Sequence, residues 1–264
     1  MWIKAENGIN DAATVKKQYA TSTNLNKRIS IHDKYSTNKQ GFGNWIVSQY
    51  RIEPGMRVLE LGCGTGSMWI GRSELIGRCS ELILSDFSEG MLETAKQNVG
   101  TYENLTYKTI DIQDIPYEDG AFDIVIANMM LYHVPDLALG LKEVRRVLKP
   151  GGTFYTATYG EHGIVEYVAG LLSSLGVEDR TNKVFTLQNG APQLGRFFKE
   201  VNRTDYEDSL AVTDVNDLTD YIFSLTGMVS LNGAVKDDVR EILRQNMHDG
   251  VLHVPKEYGL FTVK

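Results

Sequence analysis

The sequence predicts an α/β protein built on a doubly wound, mostly parallel sheet, and three observations predict it. Apolar runs of strand length alternate with amphipathic segments of helix length from residue 57 to residue 158. The first of these runs, residues 57–61, is apolar enough to be buried on both faces, as strands of a parallel sheet are. It runs directly into Gly62-Cys63-Gly64-Thr65-Gly66, a strand–turn–helix corner with no Cβ atoms at its tip. In an open α/β sheet such a corner lies at the carboxyl edge, where ligands bind.

Taken in order, residues 1–40 are polar and irregularly patterned. Short helices are expected over 15–19 and 27–35, and the segment reads as an arm or cap rather than a domain. Trp45, Ile46 and Val47 suggest a helix over 42–50, stopped by Pro54-Gly55. Strand one follows, then a helix from about Ser67. Strand two, 81–85, ends at Asp86. Ser88 is a good N-cap for a helix carrying Met91, Leu92 and Ala95. Strand three spans 105–110 and strand four 122–127. A helix over 137–148 is broken by Pro150-Gly151-Gly152, and strand five covers 153–158. Residues 41–160 thus form the ligand-binding core. Beyond Gly160, helices are expected over 163–175, 191–199, 214–225 and 235–247. Strands at 201–206 and 258–264 bring the sheet to seven. The region 161–264 reads as sheet completion with inserted helices, which near a ligand edge form substrate walls or lids.

Bulk properties narrow the function. With 264 residues and 42% hydrophobic residues, the chain can bury a sizeable core. A net charge of −7 argues against duplex nucleic acid as a partner. No apolar run is long enough to span a bilayer, and Met1-Trp2-Ile3-Lys4-Ala5-Glu6 has no secretory apolar core. The two cysteines, Cys63 and Cys79, have no zinc-type spacing, so no metal is expected and a reduced, cytoplasmic setting is. Cys63 reads as a small residue filling a tight turn.

The glycine spacing discriminates between ligands. A dinucleotide fingerprint needs a third glycine at position 67, where Ser67 stands, and a phosphate-binding P-loop needs a lysine that this turn lacks. Asp86 falls about twenty residues past the turn, where a carboxylate accepts hydrogen bonds from a ribose diol. The run Glu60-Leu61-Gly62-Cys63-Gly64-Thr65-Gly66 resembles the first motif of the class I S-adenosylmethionine-dependent methyltransferases. Asp86-Phe87-Ser88-Glu89-Gly90-Met91-Leu92 resembles their second motif. The stretch from Asp111-Ile112 through Ile115-Pro116-Tyr117 to Phe122-Asp123 is similar to a third, and Leu148-Lys149-Pro150-Gly151-Gly152 matches the family's turn into strand five. The resemblance covers residues 52–158. Ahead of it, Tyr35-Ser36, Lys39 and Trp45 are laid out as in quinone-biosynthesis C-methyltransferases.

The resemblance implies a Rossmann-like fold, S-adenosylmethionine as cofactor and S-adenosylhomocysteine as product. It implies that Glu60, Gly62, Cys63, Gly64, Gly66, Asp86 and Met91 line the cofactor, with Phe87 facing the adenine. Asp111 takes the adenine amino group, the Ile112 backbone meets the ring, and Asn128 lies beside the methionine part. Tyr35, with Arg28 and His32, is the arm's candidate contact to cofactor or acceptor. His133, on the loop after strand four, is the candidate general base or acceptor-orienting group. Residues 128–131 are not Asn/Asp-Pro-Pro-Tyr, which speaks against methylation of a DNA base or glutamine. The expected activity is methyl transfer to a small molecule. Methylation of protein or RNA, a nicotinamide-dependent oxidoreductase and a non-catalytic cofactor-binding module remain as alternatives. Acceptor and oligomeric state are not legible.

Overall fold

A computed structural model describes residues 30–225 and 227–264. Residues 30–35 are helical, and α1 (Phe42–Gln49) buries Ile46. The alternating core then unfolds along the chain. Its elements are β1 (Arg57–Leu61), α2 (Ser73–Arg78), β2 (Glu81–Asp86), α3 (Glu89–Val99), β3 (Leu105–Thr109), β4 (Phe122–Ile126), α4 (Leu137–Val147) and β5 (Leu148–Tyr159). Ser88 caps α3 by accepting the Met91 N–H, and Asp136 caps α4 by accepting the Leu139 N–H. After β5 come α5 (Ile164–Leu171), β6 (Glu178–Asp179), α6 (Gly190–Leu194), β7 (Val201–Tyr206) and β8 (Ser209–Val212). The last elements are α7 (Val215–Ser224), β9 (Val229–Ser230), α8 (Lys236–Gln245), β10 (Leu252–Pro255) and β11 (Tyr258–Val263).

Seven strands form the central sheet in the order β3-β2-β1-β4-β5-β11-β7. β1 pairs in parallel with β2 on one side and β4 on the other, so the strand order reverses there. That reversal is the switch point at which open α/β sheets open a crevice at their carboxyl edge. Val58, Leu59, Leu82, Ile83, Leu84, Val125 and Ile126 are buried, which accounts for the unbroken apolar runs.

The chain divides into two compact units, each discontinuous in sequence. One comprises residues 42–159, 185–205 and 259–264 and holds the central sheet. One of its buried clusters packs Val58, Leu82, Leu84, Ile124 and Ile126 against Ile46, Trp69, Ile76 and the inner face of α3. The described part of the other comprises residues 30–41, 160–184, 206–225 and 227–258. There Ile31 and Tyr35 join Val168, Leu172, Leu210, Leu218, Ile222, Val239, Leu243 and Val254 in a second core. Two small antiparallel pairs, β8 with β10 and β6 with β9, belong to this unit. Residues 36–37 run along β8, with a Ser36–Leu210 bridge and the Thr37 N–H donated to the Ser209 carbonyl at 2.9 Å.

Four local expectations need correcting. No helix starts at Ser67: residues 67–72 form tight turns and α2 begins at Ser73. The expected strand five begins earlier, at Leu148, because Lys149 to Gly152 form an irregularity inside it. Phe122 pairs with Leu148 and Ile124 with Thr153, so extra residues loop out where Pro150 has no N–H for the ladder. The helix expected over 191–199 stops at Leu194, and β6, β8, β9 and β10 lie where no strand was expected. The helix expected over 15–19 lies outside the described residues.

Candidate functional site

Asp86, at the end of β2, is tied to the glycine turn by two backbone donors. The Gly64 N–H donates to Oδ2 at 2.9 Å and the Ser88 N–H to Oδ1 at 2.8 Å. Burial raises its carboxyl and the amides of Ser88, Gly64 and Phe87 pull the other way, leaving it above the ordinary carboxylate value. Gly64 has φ +55, and a Cβ there would meet nothing within 4 Å, so the turn opens onto space at this residue. Gly66 is different: φ is +73, and a Cβ would come within 2.7 Å of Val99 Cγ2 on α3. The third glycine thus serves the turn's packing on α3, while Gly62 lies under Met130. Phe87, next to Asp86, is 58% exposed. An exposed aromatic ring beside an acid and an open backbone turn can stack a planar group whose neighbouring hydroxyls the acid receives.

Below the turn lies a polar network inside the apolar core. Glu60 is 2% exposed, and the Trp69 indole N–H donates to its Oε2 at 2.6 Å. Burial, opposed by that bond and assisted by Asp86, pushes the Glu60 carboxyl up to about 7. Beside it, the Asn128 amide is engaged at both ends: Nδ2 donates to the Tyr50 hydroxyl at 2.6 Å and Oδ1 accepts the Ala157 N–H at 3.0 Å. Asn128 therefore locks β4 to β5 at the sheet edge. Met129 follows with φ 54, a left-handed conformation that costs a non-glycine residue on the order of 1–3 kcal/mol. Its N–H is held by the Ala157 carbonyl at 2.8 Å.

Asp111, after β3, is turned onto its own loop. Its Oδ1 accepts the Gln113 N–H at 2.8 Å, and the Gln113 side chain bonds both carboxyl oxygens while its Oε1 accepts the Asp136 N–H. Ile112 is buried where Gly140 lets α4 approach. Met91 is half-buried in the first turn of α3.

His133 closes a short 3₁₀ turn, Leu131–His133, with its ring 4.5 Å from that of Tyr132, which in turn lies 4.7 Å from Tyr159. Burial lowers the imidazole's pKa, so it is neutral at physiological pH. Burial raises the Cys63 thiol well out of the nucleophilic range, in keeping with a space-filling role. Tyr35 belongs to the other unit, where its hydroxyl donates to Asp217 at 2.6 Å. His32 sits in the same unit, edge-on to Tyr221 and Tyr258, with burial driving its pKa to about 4. Arg28 lies outside the described residues. Among the described residues, no group of His, Cys, Asp and Glu is arranged to hold a metal ion, and no helix is long and apolar enough to cross a membrane.

Known proteins are similar to this chain over the same stretch. Residues 59–156 match the family described as "Methyltransferase domain". Over residues 59–156 the chain therefore carries a methyltransferase domain. Demethylmenaquinone methyltransferase of Staphylococcus aureus strain MRSA252 is 39% identical over 107 residues, 40% of this chain and 44% of that relative. The chain's match therefore spans less than half of the curated relative. Among solved structures, the 4+2 cyclase SpnF superposes with a TM-score of 0.59 at 18% identity, over 95% of each chain. A phosphoethanolamine N-methyltransferase of Haemonchus contortus gives a TM-score of 0.58 at 18% identity, over 94% of this chain and 58% of that one. These structural likenesses establish the fold.

The motifs of the methyltransferase domain were legible in sequence, but Trp69, Tyr50, Gln113 and Met130 as their partners were not. A glutamate inside an apolar strand does signal a need for a donor, and a buried tryptophan needs an acceptor. Their nine-residue separation matches no helical or strand period.

Proposed function

We propose that this protein transfers a methyl group from S-adenosylmethionine to a small-molecule acceptor. The observation that carries the reading is the open backbone at Gly64, hydrogen-bonded to Asp86 and flanked by exposed Phe87. These residues fit an adenosyl group: a Cβ at position 64 would stand in the opening, and Asp86 keeps acceptor capacity beyond its two backbone bonds. Asp86 receives the ribose hydroxyls and Phe87 flanks the adenine. Asp111 and Ile112 bound the adenine edge. Glu60, Gly62, Cys63, Gly66 and Met91 shape the floor, and Asn128 fixes the edge next to the reacting end.

When bound, S-adenosylmethionine supplies an electrophilic methyl group and leaves as a neutral thioether, so no protein acid is needed. What the chain contributes is alignment and exclusion of water, worth roughly 7–11 kcal/mol for well-oriented reactants. His133, neutral through burial, can take a proton from a weakly acidic acceptor. A small acceptor is supported by the chain's negative charge and by the quinone substrate in the staphylococcal relative's name. The cyclase among the structural neighbours is a reminder that the fold alone does not fix the reaction.

Calorimetry with S-adenosylmethionine, S-adenosylhomocysteine and NADH tests the cofactor assignment, with binding of the first two and not the third expected. A metabolite screen that reads S-adenosylhomocysteine release then tests turnover. Binding of NADH alone, or no release with any acceptor, overturns the reading.

A further inference from the structure

We propose that the unit holding α5, α7 and α8 carries a ligand site of its own: a cleft at the end of α7 that takes a small monocarboxylate with an apolar tail and holds its head on Arg180. The cleft has a volume of about 330 Å³, at the lower end of the range for small-molecule sites. Set against the volume one water molecule occupies in the liquid, that is room for about ten non-hydrogen atoms. α7 lines it with Ile222 and Phe223, and Leu225 follows. Val229 of β9 and Leu231 complete the apolar lining. Ile222, Leu225 and Val229 are buried members of this unit's core, while Phe223 and Leu231 pack against that core and stay partly exposed. The floor is thus fixed by the fold, and the walls are side chains that a tail can cover.

One cation lines this apolar space, the Arg180 guanidinium. β6 pairs with β9, and the Arg180 N–H donates to the Met228 carbonyl at 2.9 Å, so the residue's backbone is held beside the cleft. Its side chain is more than half exposed and donates from Nη2 to Glu178 Oε2 at 3.2 Å. Nε and Nη1 make no hydrogen bond among the described residues. An ion pair between two side chains this exposed contributes little. It yields to a ligand carboxylate, which a guanidinium holds through two parallel hydrogen bonds.

The neighbours set the charge of the head. Glu178 shares the guanidinium, and Asp179, bound to the Thr181 N–H and to Lys183, is the adjoining residue. A dianion such as a phosphate monoester meets more repulsion from these acids than a single carboxylate does. Lys236 lies over the Phe223 ring but is paired with Asp220, so it adds no free positive charge. The chain's net charge of −7 repels anions at long range, so carboxylate binding reports local contact with Arg180 and not general attraction.

Octanoate matches the cleft in volume and is the probe. Titrated into protein labelled at Ile, Leu and Val methyls, it should shift the resonances of Ile222, Leu225, Val229 and Leu231, with a Kd on the order of 0.1–1 mM. Hexanoate should bind roughly tenfold more weakly for the methylenes it lacks. Octanol, without the charge, should also bind about tenfold more weakly, and fully ionised octyl phosphate should bind more weakly than octanoate. Arg180→Gln, at an exposed side chain, should lower octanoate affinity about tenfold and leave octanol affinity unchanged. Arg180→Lys should recover only part of the loss. Octanol binding as tightly as octanoate, Arg180→Gln binding octanoate as wild type does, or methyl shifts confined to other parts of the chain each overturns the proposal. So does an absence of shifts at about 10 mM octanoate. A sedimentation mass that rises with protein concentration and falls when octanoate is added assigns the cleft to a second copy of the chain and overturns it as well. S-adenosylhomocysteine binding by the same samples reads the methyl-transfer assignment separately.

Discussion

Each unit buries an acid, and the two acids are treated in opposite ways. The side chain of Asp208, between β7 and β8, is 0% exposed and pairs with Lys256, whose side chain is 3% exposed. Asp208 also accepts the Asn38 N–H at 3.0 Å, the Ser209 N–H at 2.8 Å and the Ser36 hydroxyl at 2.9 Å. Lys256 donates to Ser36 as well and lies within 6 Å of the Tyr206 and Tyr258 ring centres. Burial works to raise the Asp208 carboxyl, but Lys256 and the surrounding donors outweigh it and hold it below its ordinary value. Glu60, by contrast, has one donor and is pushed up to about 7. A completed network of this kind specifies a structure. An incomplete one leaves a buried acid that a proton neutralises more readily than its surroundings do.

The sharpest way to break this contrast is Lys256→Met, which strands a buried carboxylate. It should cost about 3–5 kcal/mol, read as a lower urea midpoint; a loss under about 1 kcal/mol would mean the pair holds little. Next comes the pH dependence of stability without ligand. Between pH 4.5 and about 7, folded Glu60 keeps a proton that the unfolded chain has released. Stability from this group therefore falls as pH rises through that window and is level above it, a change on the order of 3 kcal/mol. Asp208 has the opposite sign: its contribution is present above the ordinary aspartate value and is lost as pH falls through its lowered one. Urea titrations of wild type and Glu60→Gln from pH 5 to 8 isolate Glu60, since the Asp208 window lies below pH 4, and the variant should lose the downward slope.

Asp86→Ala should weaken S-adenosylmethionine binding by about 1.5–3 kcal/mol, roughly 10–150-fold, in a protein that still melts cooperatively. Unchanged affinity would remove Asp86 from the site. The smallest effect on stability is expected from Gly64→Ala, about 1–2 kcal/mol for the left-handed backbone alone, because the added methyl meets no protein atom. Its loss of cofactor affinity should far exceed that, since the methyl occupies the opening.

The central sheet was readable because strands buried on both faces are continuous apolar runs, and because Gly62, Gly64 and Asp86 carry their geometry in local sequence. Even β7 and β11 were placed within a residue of their observed ends. What stayed hidden depends on distant partners. The short pairs β8–β10 and β6–β9 have too few residues to show alternation. The turns at 67–72 looked helical because Met68, Trp69 and Ile70 are good helix residues, yet the Trp69–Glu60 bond and the packing of Gly66 on Val99 hold them in turns. Asp111 reads as a ligand contact in the motif, whereas its engagement by Gln113 shows only in three dimensions.

The strand order has a bearing on how a nascent chain matures. β11 lies between β5 and β7, so a ribosome must deliver residues 258–263 before β5 has its second neighbour. During synthesis β5 and β7 each present an unpaired backbone edge that can recruit other chains. Closure of this part of the sheet therefore waits for β11, both of whose neighbours are made before it.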